Sequence, residues 1–353
     1  MRGSLFRLDA AVRKVWYKMR ALLICIGLGF MLISSGCGFS SQEQQANGIA
    51  VNNIKVENYF NLGPNTQYFA KVPQRVLVIG ANQTEALLDL GVENAIAYSV
   101  KYEDNETFPI KESNQKIFDR LTFLSRQEIT AENILRLHPD LIISEESWYS
   151  KNKLGSTDYW NRRNIHTMVS LNTTSPSKTN EPETVEKEMK YIRDLGRIFH
   201  KEEQADKIVN TTIERFDAIR ERTKGTTPPK VMILDLLSTT ISYGKNKIAG
   251  DIASHLGANV PDTTAAVSDE YIMKENPDVV FVVTYGNAES LLKKIENKKA
   301  FQHLTFIQKH RLYPIPLKYA YSPITRTIDS AGYMAERIYP GQFSFPKEYD
   351  FHS

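Results

Sequence analysis

A chain of 353 residues that is 41% hydrophobic and 24% charged has an ordinary globular composition, with length for two domains. Its formal charge of +3 comes from the first 36 residues, where Arg2, Arg7, Arg13, Lys14, Lys18 and Arg20 face one acid, Asp9. The rest is close to neutral, which removes the electrostatic case for nucleic-acid binding. Both cysteines, Cys25 and Cys37, lie at this same end, so the body can form neither a disulfide nor a thiolate metal site.

The leading segment has three parts. A basic stretch ends at Arg20, and an apolar run extends from Ala21 to Ile33. Small residues, Ser34-Ser35-Gly36, then precede Cys37. The apolar run makes about 20 Å of helix, short of the ~30 Å hydrocarbon core, so a cleaved export leader is expected rather than a permanent span. Ser34-Ser35-Gly36-Cys37 resembles the lipobox of bacterial lipoproteins, with Ser34 where that family usually has Leu. The resemblance implies cleavage before Cys37 and acylation of its sulfur. Met19 also opens a conventional, shorter leader. The polar stretch after Cys37 reads as a flexible tether.

From Arg75 the chain alternates β-rich runs with amphipathic helices. Val76-Leu77-Val78-Ile79 is a buried-strand run stopped by Gly80, and residues 84–90 have helical spacing ended by Gly91. Strands are expected at 95–98, 141–143 and 165–169, with a helix at 131–138. Two helices follow, at about 183–199 and 202–223. The first carries a stripe of Val185, Met189, Ile192 and Leu195; the second has Ala205, Ile208, Thr212, Phe216 and Ile219. After Pro228-Pro229, the run Val231-Met232-Ile233-Leu234 restarts the α/β pattern. Such alternation predicts an α/β protein with mainly parallel sheets.

The second half repeats the first. Glu132 and Glu270 each precede, by six residues, a Pro-Asp pair and an apolar strand: Pro139-Asp140 and Pro277-Asp278. Residues 85–94 match 251–260 in the same order. Two related lobes follow from this, with the helix near 202–223 between them. The expected division is leader 1–36, tether 37–53, first lobe 54–201, connecting helix 202–224 and second lobe 225–353.

Val72 to Val78, Glu132 to Ile143, Ser268 to Val283 and Phe301 to Pro316 together resemble the class III substrate-binding proteins of ABC importers. That resemblance implies two α/β lobes joined by a single long helix, and a small-molecule ligand between them. It implies a ferric siderophore, with haem or cobalamin as alternatives on the same fold, and no covalent cofactor. It also implies a membrane permease dimer with a cytoplasmic ATPase as partner. Glu132 and Glu270 map to the family's two permease-docking acids; a first-turn position would favour an acid there in any case. Location on the extracytoplasmic face of the cell membrane, in a Gram-positive cell, is the expectation.

Ligands of open α/β sheets lie beyond the carboxyl ends of the strands. In the loops expected there, Trp148, Tyr149, Tyr243 and Tyr285 offer flat amphipathic contact. Arg326 offers several donors to an anionic chelate, with pairing to Asp329 as the alternative. The seven histidines form no multi-His pattern, so no bare-metal site is expected. No Walker A loop, Gly-x-Gly-x-x-Gly, His-Glu-x-x-His or Gly-x-Ser-x-Gly motif occurs, and no catalytic residues are assigned. Two other classes stay open: a chelatase-like enzyme, which shares the bilobal architecture, and a surface lipoprotein without transport.

Overall fold

The computed structural model describes residues 48–100, 110–173, 181–237, 239–285 and 288–344. The leader, Cys37 and most of the expected tether lie outside the described residues, as do the loop residues Lys101, Tyr102, Ser238, Gly286 and Asn287. Among the described residues no helix is long and apolar enough to cross a membrane.

The first elements are a hairpin, β1 (Ile49–Glu57) and β2 (Phe60–Phe69). This corrects the expected tether, whose last five residues, 49–53, are already strand. The alternation that builds it was present in the sequence: Val51, Asn53 and Val56 point inward, each at most 3% exposed. Two side-chain amides dock the hairpin on the lobe. Asn53 Nδ2 donates to Val169 O and Asn53 Oδ1 accepts from Val169 N, both at 2.9 Å. Gln67 brackets Thr167 in the same way, its Oε1 accepting from Thr167 N at 2.9 Å and its Nε2 donating to Thr167 O. These amides satisfy the free edge of the last strand without a further ladder.

The first lobe is a sheet of β3 (Val76–Val78), β4 (Ile96–Val100), β5 (Phe123–Leu124), β6 (Leu141–Ser144) and β7 (His166–Val169), parallel throughout in the order β5-β4-β3-β6-β7. The second contains β8 (Val231–Asp235), β9 (Ile241–Tyr243), β10 (Ala265–Ala266), β11 (Val279–Thr284) and β12 (Leu312–Pro316), ordered β10-β9-β8-β11-β12. There β8, β11 and β12 are parallel, while β9 runs antiparallel to both β8 and β10. The central strands are covered on both faces, which is why they read as unbroken apolar runs. Both sheets belong to one compact unit, Ala50–Ser353.

The repeat holds at the level of single atoms. The helices Ala131–Leu137 and Asp269–Glu275 are each seven residues long. Thr130 and Ser268 cap them by accepting from Asn133 N and Tyr271 N. Both end in a left-handed residue, His138 (φ 49°) and Asn276 (φ 41°). The aspartates that follow tie each turn to the start of the neighbouring strand. Asp140 accepts from Gln74 N at 2.7 Å and Arg75 N at 3.0 Å; Asp278 accepts from Lys230 N at 2.8 Å. The cations at these strand starts return to the helix ends, Arg75 donating to Leu137 O and Lys230 to Glu275 O. Each Pro-Asp pair is thus a fixed joint between helix end and strand start.

Helices Val185–Ile198 and Glu202–Thr223 pass between the lobes. At 22 residues the second is about 33 Å long. It lies against both Val185–Ile198 and the Thr327–Ile338 helix of the second lobe. Val209, not the expected Ile208, completes its buried stripe.

Asp140→Ala removes two charge-assisted hydrogen bonds and should lower stability by about 2 kcal/mol. Asp278→Ala removes one and should cost less. Urea unfolding of both variants checks this order.

Candidate functional site

The lobes meet where the carboxyl ends of the two sheets converge. From β3 the chain passes through Gly80 into the Ala81–Asp89 helix. Gly80 has φ 130°, a backbone conformation that residues with a Cβ rarely adopt, so glycine suits this entry. The first turns of that helix bury polar side chains. Asn82 Nδ2 donates to Lys318 O at 3.2 Å and Ser322 O at 3.0 Å, beyond the end of β12. Gln83 Nε2 donates to Ser170 Oγ at 2.9 Å. Glu85, 1% exposed, forms a two-point pair with Arg326, 4% exposed. Arg326 Nη2 donates to Glu85 Oε1 at 2.8 Å, and its Nε donates to Oε2.

Arg326 was expected to face the ligand. Its guanidinium is instead buried against the opposite lobe. Asp329, the expected alternative partner, is the more distant acid at 4.0 Å. Trp148 and Tyr149 are also corrected. The short turn Glu146–Trp148 folds both rings into the first-lobe core, at 2% and 0% exposure, which removes them from direct ligand contact. Burial raises the Tyr149 phenol far above its usual range.

Tyr243 and Tyr285 are brought together. Asp235, the last residue of β8, accepts from Tyr243 OH at 2.7 Å and from Tyr285 OH at 2.8 Å through one oxygen, Oδ2. Its Oδ1 accepts from Leu237 N at 3.1 Å. Burial and the adjacent carboxylate push both phenols well above their ordinary value, so each remains a hydrogen-bond donor. Beside them Lys247 pairs with the buried Glu183. Its ammonium also lies 5.9 Å from the Tyr243 ring and 5.4 Å from the Tyr321 ring. Leu237, 71% exposed, stands at the same strand end.

The first lobe presents cations over an aromatic floor. Lys153 Nζ lies 4.3 Å from the Trp148 ring centroid, and the exposed Arg126 places its guanidinium carbon at 5.6 Å. Arg126 opens a turn after β5 that a Ser125–Glu128 capping box holds. Glu145, at the end of β6, is pushed up to about 7 by burial, with Gln83, Arg126 and Lys153 opposing that rise.

Glu132 and Glu270 occupy equivalent second positions of the repeated helices. Each helix follows a strand, β5 or β10, that points to the same end as its sheet's central strands. Both side chains are exposed. Glu132 pairs with Arg136 one turn on, and the Ser268 hydroxyl holds Glu270 below the usual carboxylate range.

Asp235, Arg126, Lys153, Lys247 and Glu183 were missed by the sequence reading. Asp235 had a visible signal: a lone acid at the carboxyl end of an apolar strand. The Lys247–Glu183 pair is 64 residues apart in sequence, and no local pattern marks it.

A family model described as "Periplasmic binding protein" matches residues 76–319. The chain belongs to the periplasmic binding protein family. A petrobactin-binding protein, YclQ, of Bacillus subtilis is 23% identical over 287 residues, covering 75% of this chain and 80% of that one. A crystal structure of a periplasmic binding protein from Veillonella parvula superposes with a TM-score of 0.75 at 23% identity, covering 84% of this chain and 93% of that one. An Fe3+-hydroxamate transport protein from Saccharomonospora viridis gives 0.62 at 15% identity, covering 82% and 99%. The two-lobed fold is therefore that of its periplasmic binding relatives, and the family is one of solute-binding proteins.

This periplasmic binding protein should lose stability as pH rises above 5. Burial pushes Glu188 up to about 8, with hydrogen bonds from Asn172 and the Ile324 amide acting against the rise. A carboxyl raised on folding contributes fully below its unfolded value near 4.5, and that contribution is lost as pH climbs toward 8. Glu145, at about 7, has the same sign. Lys318, lowered to about 7 by burial and Arg326, opposes the trend only above that pH. Glu188→Gln should flatten the decline between pH 5 and 7 by on the order of 2 kcal/mol, read from melting curves.

Proposed function

We propose that this protein is the solute-binding component of an ABC importer, held on the extracytoplasmic face of the membrane by lipid on Cys37. It captures a ferric-siderophore type complex and delivers it to a permease dimer with a cytoplasmic ATPase. The observation that carries this reading is the pairing of the two strand-end surfaces. One offers the phenols of Tyr243 and Tyr285, fixed on Asp235, with Lys247 beside them. The other offers Arg126 and Lys153 over Trp148. Cations suit the anionic oxygens of a bulky chelate, and the rings of the two tyrosines offer it flat contact. The likeness to a petrobactin-binding protein and to an Fe3+-hydroxamate transport protein supports the same ligand class.

Arg326 has a different part in this account. Its guanidinium is 4% exposed and committed to Glu85 at two points, and losing one partner of a buried pair costs about 3–5 kcal/mol. Glu132 and Glu270 fit the docking role. They are exposed, symmetry-related and one per lobe, so basic pockets on a permease dimer would read both lobes at once.

Titration with ferric chelates should give saturable quenching of tryptophan fluorescence. Arg126→Ala or Tyr285→Ala should weaken binding about tenfold, or 1.4 kcal/mol. The double variant Glu132→Lys/Glu270→Lys should retain that affinity and lose iron uptake in cells. Absence of quenching by every ferric chelate would contradict the ligand class. Undiminished uptake by the double variant would contradict the docking role.

A further inference from the structure

Away from the strand-end surfaces, Glu186, Asp251 and His255 converge, each offering one ligand atom, with these atoms all within 4.8 Å of one another. Asp251 and His255 stand four residues apart on one face of the Ile248–His255 helix of the second lobe. Glu186 comes from the first turn of the Val185–Ile198 helix. Along the second-lobe helix, His255 lies eight residues, about 12 Å, beyond Lys247, so the cluster is separate from the Tyr243–Asp235–Tyr285 group.

We infer that Glu186, Asp251 and His255 form a binding site for a divalent transition-metal ion of the zinc class, which joins the Ile248–His255 helix to the Val185–Ile198 helix. Three observations carry it. The first is distance: His255 Nε2 is 3.3 Å from Glu186 Oε1 and 3.6 Å from Asp251 Oδ2. A tetrahedral ion with bonds of 2.0–2.2 Å has ligand–ligand edges of roughly 3.3–3.6 Å.

The second is ligand orientation. Asp251 Oδ2 accepts from Val185 N at 2.7 Å, which fixes the carboxylate against the helix that supplies Glu186. The imidazole packs against Phe216, ring centroids 5.6 Å apart. Such outer contacts hold ligands in register for a metal. A groove of about 630 Å³, lined by Glu186, His255, Met189 and Phe216, adjoins the cluster and leaves room for water as a fourth ligand.

The third is charge. Two carboxylates and a neutral imidazole balance a divalent ion. The nearby guanidiniums of Arg193 and Arg220 are already paired with Asp206 and Asp217. The nitrogen ligand and the small ligand count select zinc-class ions over calcium or magnesium.

The test uses the full chain, stripped with chelator, and Co2+ and Zn2+ alone as probes. One equivalent of Co2+ should produce the intense visible bands of tetrahedral coordination, and Zn2+ should abolish them. Zn2+ should also raise the melting temperature. His255→Ala should remove both effects, and Glu186→Gln should weaken Zn2+ binding by about tenfold or more. Glu186 has a side chain 70% exposed, so its replacement tests the site without threatening the fold. Absence of tetrahedral bands in the unaltered chain overturns the inference, and bands and Zn2+ affinity unchanged in both variants overturn it by assigning the metal to adventitious ligands elsewhere.

Discussion

The buried pair between Glu85 and Arg326 determines how the two halves of this molecule relate. It joins residues 241 positions apart, one on the first helix after β3 and the other beyond the end of β12. Two charges removed from water are stable only with good geometry and further hydrogen bonds. Both conditions are met: the contact is two-point, and Glu85 also accepts from Lys111 N at 2.6 Å. Around it Asn82, Glu188 and Tyr321 add hydrogen bonds between the segments of the two lobes. A polar seam of this kind holds one mutual orientation, because any slippage would leave buried charges unpartnered. The lobes are therefore expected to close little around a ligand, and the strand-end groups are preorganised.

The internal repeat gives this geometry its second consequence. Each lobe places a seven-residue helix, begun by a capping hydroxyl and ended by a left-handed residue, before a Pro-Asp joint and a central strand. The joint fixes where each helix starts relative to its sheet, and the seam fixes the sheets relative to each other. The exposed glutamates at the two helix starts thus inherit a defined spacing. Recognition of that spacing by a symmetric partner would depend on interactions buried far from either carboxylate.

Much of the fold was legible because it is written in local pattern. Val76–Ile79, Leu141–Ile143 and Val231–Leu234 are apolar runs of strand length between turn signals, and the helices near 185 and 202 carry clear stripes. The hairpin was lost to the tether because it follows a polar, tether-like stretch, although Val51 and Val56 alternate with polar residues. The site was less legible for a physical reason. A loop aromatic has no periodicity to say whether it faces core or cleft; Trp148 and Tyr149 turned inward, whereas Tyr243 and Tyr285 met at Asp235. Arg326 was read as a ligand-facing arginine, but its partner Glu85 lies in the other lobe, and sequence distance hides such pairs.

The central claim is that Arg326 holds the lobes together and leaves the ligand to the strand-end phenols and cations. The most direct measurement compares stability and ferric-chelate affinity for Arg326→Met and for Glu85→Leu/Arg326→Met. The account predicts that the single replacement costs about 3–5 kcal/mol and that the double replacement recovers much of it. Chelate affinity of the folded double variant should stay within about threefold, under 1 kcal/mol. An Arg326→Met protein as stable as the parent, but with chelate binding reduced by more than about tenfold, would contradict it.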